Sequence, residues 1–142
     1  MKSETKRRIA KLKKSGFPTG SYFLGCSDPK DSDWVVMSSD WNSIVGSELG
    51  EFYYKNQDYD EGDFRCFFVD DEEIGLPLNF IAIYDSEIFQ TWKIATRLIK
   101  RIPVRFLENK RDRVALFELL KQIVEGRKKP IKSTEFDDDI PF

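Results

Sequence analysis

The stretch LPLNFIAIYD at 76–85 constrains this chain more than any other. Its run of apolar residues leaves neither face of an extended strand for water. Such a strand needs packing partners above and below it, which predicts a sheet with helices against it. Two helical patterns supply candidates. From Ser86, the residues Ile88, Trp92, Ala95 and Ile99 recur at i, i+4, i+7 and i+11, with Phe89 widening the stripe and Pro103 marking its end. From Lys110, the pattern repeats through Val114, Phe117, Leu120 and Val124, and Gly126 closes it. Trp92 and Phe117 fall inside these stripes and read as core rather than as platforms for bases.

Shorter signals fill the remainder. DWVVM (33–37), EFYYKN (51–56) and DFRCFFV (63–69) are strand-like, and SSDW offers Ser39 or Asp40 as cap for a helix through Leu49. A short basic helix is expected over 3–14, with Ser3 as cap, Ile9 and Leu12 as a thin apolar stripe, and Gly16 before Pro18 at its end. No internal repeat is present. The fold class predicted is α+β, a small mixed sheet flanked by helices over 1–126. A flexible acidic tail is expected over 127–142, which has no periodicity.

Charge is segregated along the chain. The formal net charge is only −2, yet residues 1–14 hold seven Lys or Arg against one Glu, and 58–73 hold eight acids against Arg65. From Arg97 to Lys132 the balance reverses, with twelve Lys or Arg against four acids, before the acidic tail. There is no histidine, so Ser-His-Asp and Cys-His nucleophile systems, His-containing zinc sites and imidazole bases are excluded. Carboxylates, hydroxyls, lysines and bound cations remain as chemistry. Cys26 and Cys66 stand apart, with no CxxC spacing, no secretory signal ahead of them and no membrane-length apolar run, which points to structural thiols in a reducing cytoplasm.

The most chemical-looking segment is TGSYFLGCSDPKDSDWVV. Strand alternation puts Asp31 and Asp33 on one face, where two carboxylates can share divalent cations that clamp nucleotide phosphates. Gly20 and Ser21 would let backbone N–H groups and a hydroxyl approach the same phosphates. DPKDSD is equally good turn chemistry, and Ser21 is equally a turn hydroxyl.

The apolar-Gly-Ser turn, its spacer and Asp-x-Asp leading into a strand resemble the nucleotidyltransferase superfamily, in its small, phage-type form with a DNA polymerase beta-like fold. LNFIAIYDSEIFQTWKIATRLIKRI and KRDRVALFELL extend the likeness over most of 17–125. The resemblance implies magnesium-dependent transfer of a nucleoside monophosphate from an NTP to an acceptor hydroxyl. It implies that Asp31 and Asp33 are the catalytic, Mg2+-binding carboxylates, with Gly20 and Ser21 on the nucleotide phosphates. The basic C-terminal helix, through Arg111, Arg113 and Lys121, would then hold the triphosphate or a nucleic-acid acceptor. Where the family places its third acid this chain has Asn79, which takes no proton and binds cations more weakly. Asp85, Asp70 and Asp71 remain open as substitutes.

The tip EFDDDIPF at 135–142 resembles the terminal peptide of bacterial single-stranded-DNA-binding proteins (SSB), DFDDDIPF, with only the first position changed. That resemblance implies recruitment by bacterial SSB-interacting replication, recombination and repair proteins. Phe142 would offer a ring and a terminal carboxylate, Pro141 a restricted backbone, Ile140 apolar area, and Asp137, Asp138 and Asp139 a match for a basic rim. The rest of the chain lacks the strand-and-aromatic pattern of an oligonucleotide-binding barrel. Three readings stay open: a nucleotidyltransferase delivered to DNA-processing sites, an inactive phage adaptor or decoy that occupies host repair or nuclease proteins, and a tail whose acids fold back on the chain's own basic face.

Overall fold

The computed structural model describes residues 1–54 and 62–128. Of the tail predicted over 127–142, residues 129–142 lie outside them, the tip Asp137, Asp138, Asp139, Ile140, Pro141 and Phe142 included, whereas 127 and 128 belong to the last helix. The described part is a mixed α+β fold built on one five-stranded sheet, as the sequence pattern predicts. In chain order the elements are α1 (Ser3–Ser15), β1 (Phe17–Thr19), α2 (Gly20–Leu24), β2 (Ser32–Met37), α3 (Ser38–Ile44), β3 (Tyr53–Tyr54), β4 (Phe64–Asp71), β5 (Leu76–Ile83), α4 (Ser86–Lys100), a 3-10 turn (Val104–Phe106) and α5 (Lys110–Lys128).

The strands lie in the order β1-β2-β5-β4-β3. Only β2 and β5 run parallel; every other neighbouring pair is antiparallel. β5 occupies the centre, which is why 76–83 is apolar at successive positions. Its Leu78, Phe80 and Ala82 pack with Ile9 and Leu12 of α1, Trp41 of α3, Val36 and Val69 on one face. Ile81 and Ile83 pack with Phe17, Val35, Cys66, Phe68 and Phe89 of α4 on the other. Burying a side chain of this size contributes roughly 1.5–3 kcal/mol, so both helical layers are strongly held. Gly16 sets how closely α1 meets the sheet, because a Cβ there would collide with the Val35 carbonyl.

A third cluster, made of Leu24, Cys26, Ile99 and Leu107, ties α2 and the 3-10 turn to α4, with Leu116, Phe117 and Leu120 of α5 against it. Both cysteines are buried. Among the described residues no helix is long and apolar enough to cross a membrane.

Several boundaries differ from the sequence expectation for local reasons. Lys2, not Ser3, stands at the α1 cap, and its N–H donates to Glu51 at 3.2 Å. Met37 rather than Ser39 or Asp40 stands before α3, which ends at Ile44 instead of Leu49. There the N–H groups of Val45 and Gly46 both close on the Trp41 carbonyl, and Gly46 takes the left-handed φ of 68° that stops the helix. Gly126 does not end α5, which continues to Lys128. β1 and α2, at 3 and 5 residues, are too short for periodicity to disclose.

Candidate functional site

Register builds the site. One row crosses the sheet from Thr19 through Asp33, Asn79 and Phe68 to Tyr53, each opposite the next. Asp33 and Asn79 therefore share the face that carries α4, near the starts of the parallel strands. The Asn79 Nδ2 donates to Asp33 Oδ1 at 2.9 Å. Asn79 is only 4 % exposed, and its Oδ1 is a buried acceptor with no hydrogen-bond partner.

Gly20 closes the other side of Asp33. It follows Thr19, which lies opposite Asp33, and has φ 78°, so a side chain there would be strained and its Cβ would collide with Asp33 Oδ2. Ser21, in the first turn of α2, is partly buried, and its carbonyl accepts from the Cys26 N–H at 3.0 Å. The sequence-predicted Gly20 and Asp33 thus come together, with Asp31, just ahead of β2, beside Asp33, Ser21 next to Gly20 and Asn79 as the neighbour across the strands.

Two acids crowd this spot. Burial, then the adjacent Asp31 charge, pushes the Asp33 carboxyl up to about 8, while the Asn79 amide and the more distant Arg113 guanidinium pull the other way. The loop carrying Asp31 is anchored from the C-terminal half. Ser27 donates its N–H and hydroxyl to Glu108 at 3.1 and 2.6 Å, which holds the Glu108 carboxyl below the usual range. Arg113 donates to the Leu107 carbonyl at 2.8 Å and lies 3.7 Å from Cys26 Sγ.

The C-terminal basic face does not stand as one surface. Arg111 is exposed, whereas Arg113 is fixed to the Leu107 carbonyl. Lys121 lies 2.7 Å from Glu118 and over the rings of Trp92 and Phe117 at 4.6 and 5.3 Å, so it belongs to the helix packing. Trp92 and Phe117 meet edge to face at 5.4 Å as part of that packing.

Each substitute for a third acid is accounted for. Asp85 caps α4, accepting from the N–H groups of Glu87 and Ile88 at 2.7 and 3.3 Å. Asp71 accepts from the Glu73 N–H at 3.0 Å in the β4–β5 turn. Asp70 is on the Asp33 face, but it accepts from the Tyr53 hydroxyl at 3.2 Å and sits on β4, two strands from β2. Two strand spacings come to about 10 Å, too far for one ion to bridge Asp70 and Asp33.

Among the described residues there is no group of three or more His, Cys, Asp or Glu suited to a metal. Asp31, Asp33 and the unpartnered Asn79 Oδ1 are hard oxygen donors. The two carboxylates are of the type that holds a divalent cation, but Asn79 turns its Nδ2 donor to Asp33 and not its Oδ1, so the amide as placed adds no oxygen to that pair. Comparison with family models, curated proteins and solved structures finds no match to this chain.

Proposed function

We propose that this chain is a nucleotidyltransferase-like protein that works at bacterial DNA replication and repair complexes, recruited through the tip at 135–142. The observation that carries the reading of the body is Gly20 set against the Asp33 carboxyl at the start of β2, with Asp31 beside it and Asn79 opposite. In this reading Asp31 and Asp33 hold Mg2+, and Gly20 and Ser21 lie against the NTP phosphates. The cation would offset the charge of the triphosphate while an acceptor hydroxyl displaces pyrophosphate. The acceptor's proton needs a base, and Asn79 does not supply one. The tip supports recruitment by its close match to the SSB peptide, with Asp137, Asp138 and Asp139 for a basic rim and Ile140, Pro141 and Phe142 for an apolar pocket.

The hydrogen bond from Asn79 to Asp33 favours a second reading of the same body, an inactive adaptor or decoy that occupies SSB-interacting proteins. A cytoplasmic setting in a bacterial host, and a phage origin, belong to both readings.

One paired experiment tests them. The full chain and a version lacking Phe142 are used to capture proteins from bacterial extract, and both are assayed for Mg2+-dependent NTP turnover. Recruitment predicts repair and replication proteins retained by the full chain alone. Turnover that disappears in Asp31→Ala and Asp33→Ala supports the transferase; retention without turnover supports the adaptor. Identical protein lists for the two chains would sink the recruitment reading.

A further inference from the structure

Helix α1 carries six Lys or Arg against Glu4 alone, and the fold sorts them by direction. Thr5, Ile9 and Leu12 face the sheet and are buried. Arg8 turns partly inward, lying 3.1 Å from Glu4 and donating to the Glu48 carbonyl at 3.1 Å. Lys6, Arg7, Lys11 and Lys14 are exposed, and Lys13 lies over the half-buried Trp34 ring at 5.1 Å.

The two edges of this cationic face differ. Lys6 and Lys13 line a hollow of about 280 Å³ with Asp71, Glu72 and Glu73, so acids stand beside them. Along the other edge run Arg7, Lys11 and Lys14 at i, i+4 and i+7. Arg7 has only a 3.9 Å approach to the Glu4 already shared with Arg8. No acid pairs with Lys11 or Lys14 among the described residues.

We propose that this edge of α1 binds the phosphate backbone of nucleic acid. Three cations in register along one helix edge span about 10 Å, and duplex DNA presents one negative charge per about 1.7 Å of its axis, so the row meets several phosphates at once. α1 exposes no bulky apolar residue, and its Ala10 lines the hollow at the other edge, so the row of Arg7, Lys11 and Lys14 has no floor for the bulky side chains of an acidic peptide or for lipid. A polyanion of regular charge requires neither. The contact is independent of sequence and independent of the Asp33 site, and it lies on α1 rather than on the C-terminal helix, where Arg113 and Lys121 are committed to packing.

The test is fluorescence anisotropy of the full chain with a labelled single-stranded oligonucleotide and the matching duplex, at several salt concentrations. It is repeated with Arg7→Gln/Lys11→Gln/Lys14→Gln and, as control, Arg101→Gln/Arg105→Gln/Lys110→Gln. Glutamine keeps helix propensity, and unchanged circular dichroism and melting temperature establish that each variant folds. The expected result is low-salt binding that weakens at least about tenfold in the α1 variant, with a salt slope shallower by about 2 for single strands or 3 for duplex. Tighter binding of one probe identifies the preferred nucleic acid. Absence of low-salt binding by the wild type overturns the proposal. An α1 variant that binds as wild type, or a loss confined to the control variant, overturns it equally.

Discussion

Asn79 and Asp33 meet across the parallel pair β2 and β5, amide to carboxylate at 2.9 Å, and this contact sets what stands beside the Asp33 carboxyl. An amide opposite the carboxylate donates a hydrogen bond where an acid would add a second negative charge. Asn79→Asp should therefore lower stability in chelator by about 1–3 kcal/mol and make melting strongly Mg2+-dependent. Thermal melts with and without Mg2+ check both halves. Equal melting temperatures for Asn79→Asp and wild type in chelator would show that the two positions do not interact.

The pH dependence follows from Asp33. Its ordinary value of 3.8 rises to about 8 in the fold, so the folded state holds a proton that the unfolded chain has released. The resulting stabilisation is fully present below pH 3.8 and is lost as pH rises through about 8. In chelator, the wild type should lose at least about 1–2 kcal/mol relative to Asp33→Asn between pH 5 and 9. Urea titrations across that interval measure it, and parallel profiles for the two proteins would refute the assignment.

Gly20→Ala combines two penalties, a left-handed φ and a Cβ driven into the Asp33 carboxylate. A loss of about 1–3 kcal/mol is expected. Combining it with Asp33→Gly should recover the part due to collision and leave the part due to φ. A double-mutant cycle by urea denaturation separates the two, and strict additivity would mean the carboxylate steps aside freely.

Arg113→Met keeps the apolar stem but removes the donor to the Leu107 carbonyl and a positive charge acting on Asp33. Stability should fall by about 1–3 kcal/mol, and the Asp33 titration should move upward. Arg111→Met, at an exposed position, should do neither. Carboxyl resonances followed by NMR across pH would distinguish the two.

Elements with long patterns were legible in the sequence. β5 and α4 announce themselves because burial on two faces, or along one stripe, dictates residue type at every step. Gly20 was read together with Asp31 and Asp33 from turn chemistry and strand alternation, although β2 begins only at Ser32 and Asp31 precedes it. Spacing alone does not reveal that Gly20 is needed because a carboxylate occupies the space beside it. The destination of a charged side chain was the least readable. Arg111, Arg113 and Lys121 share one helix, and only the packing of α4 and the 3-10 turn against it decides which of them is free. The unequal edges of α1 likewise depend on where the β4–β5 turn lands.

Among the described residues the outermost strands are the shortest. β1 has three residues with Pro18 at its middle, and β3 has two. On the β1 side so short a border, with proline lacking its N–H, gives an incoming chain little backbone to zip onto. The β1 edge is thus guarded against strand exchange between molecules. A molecule approaching from that edge meets side chains rather than open backbone, and contacts of that kind can be tuned by single substitutions without disturbing the fold.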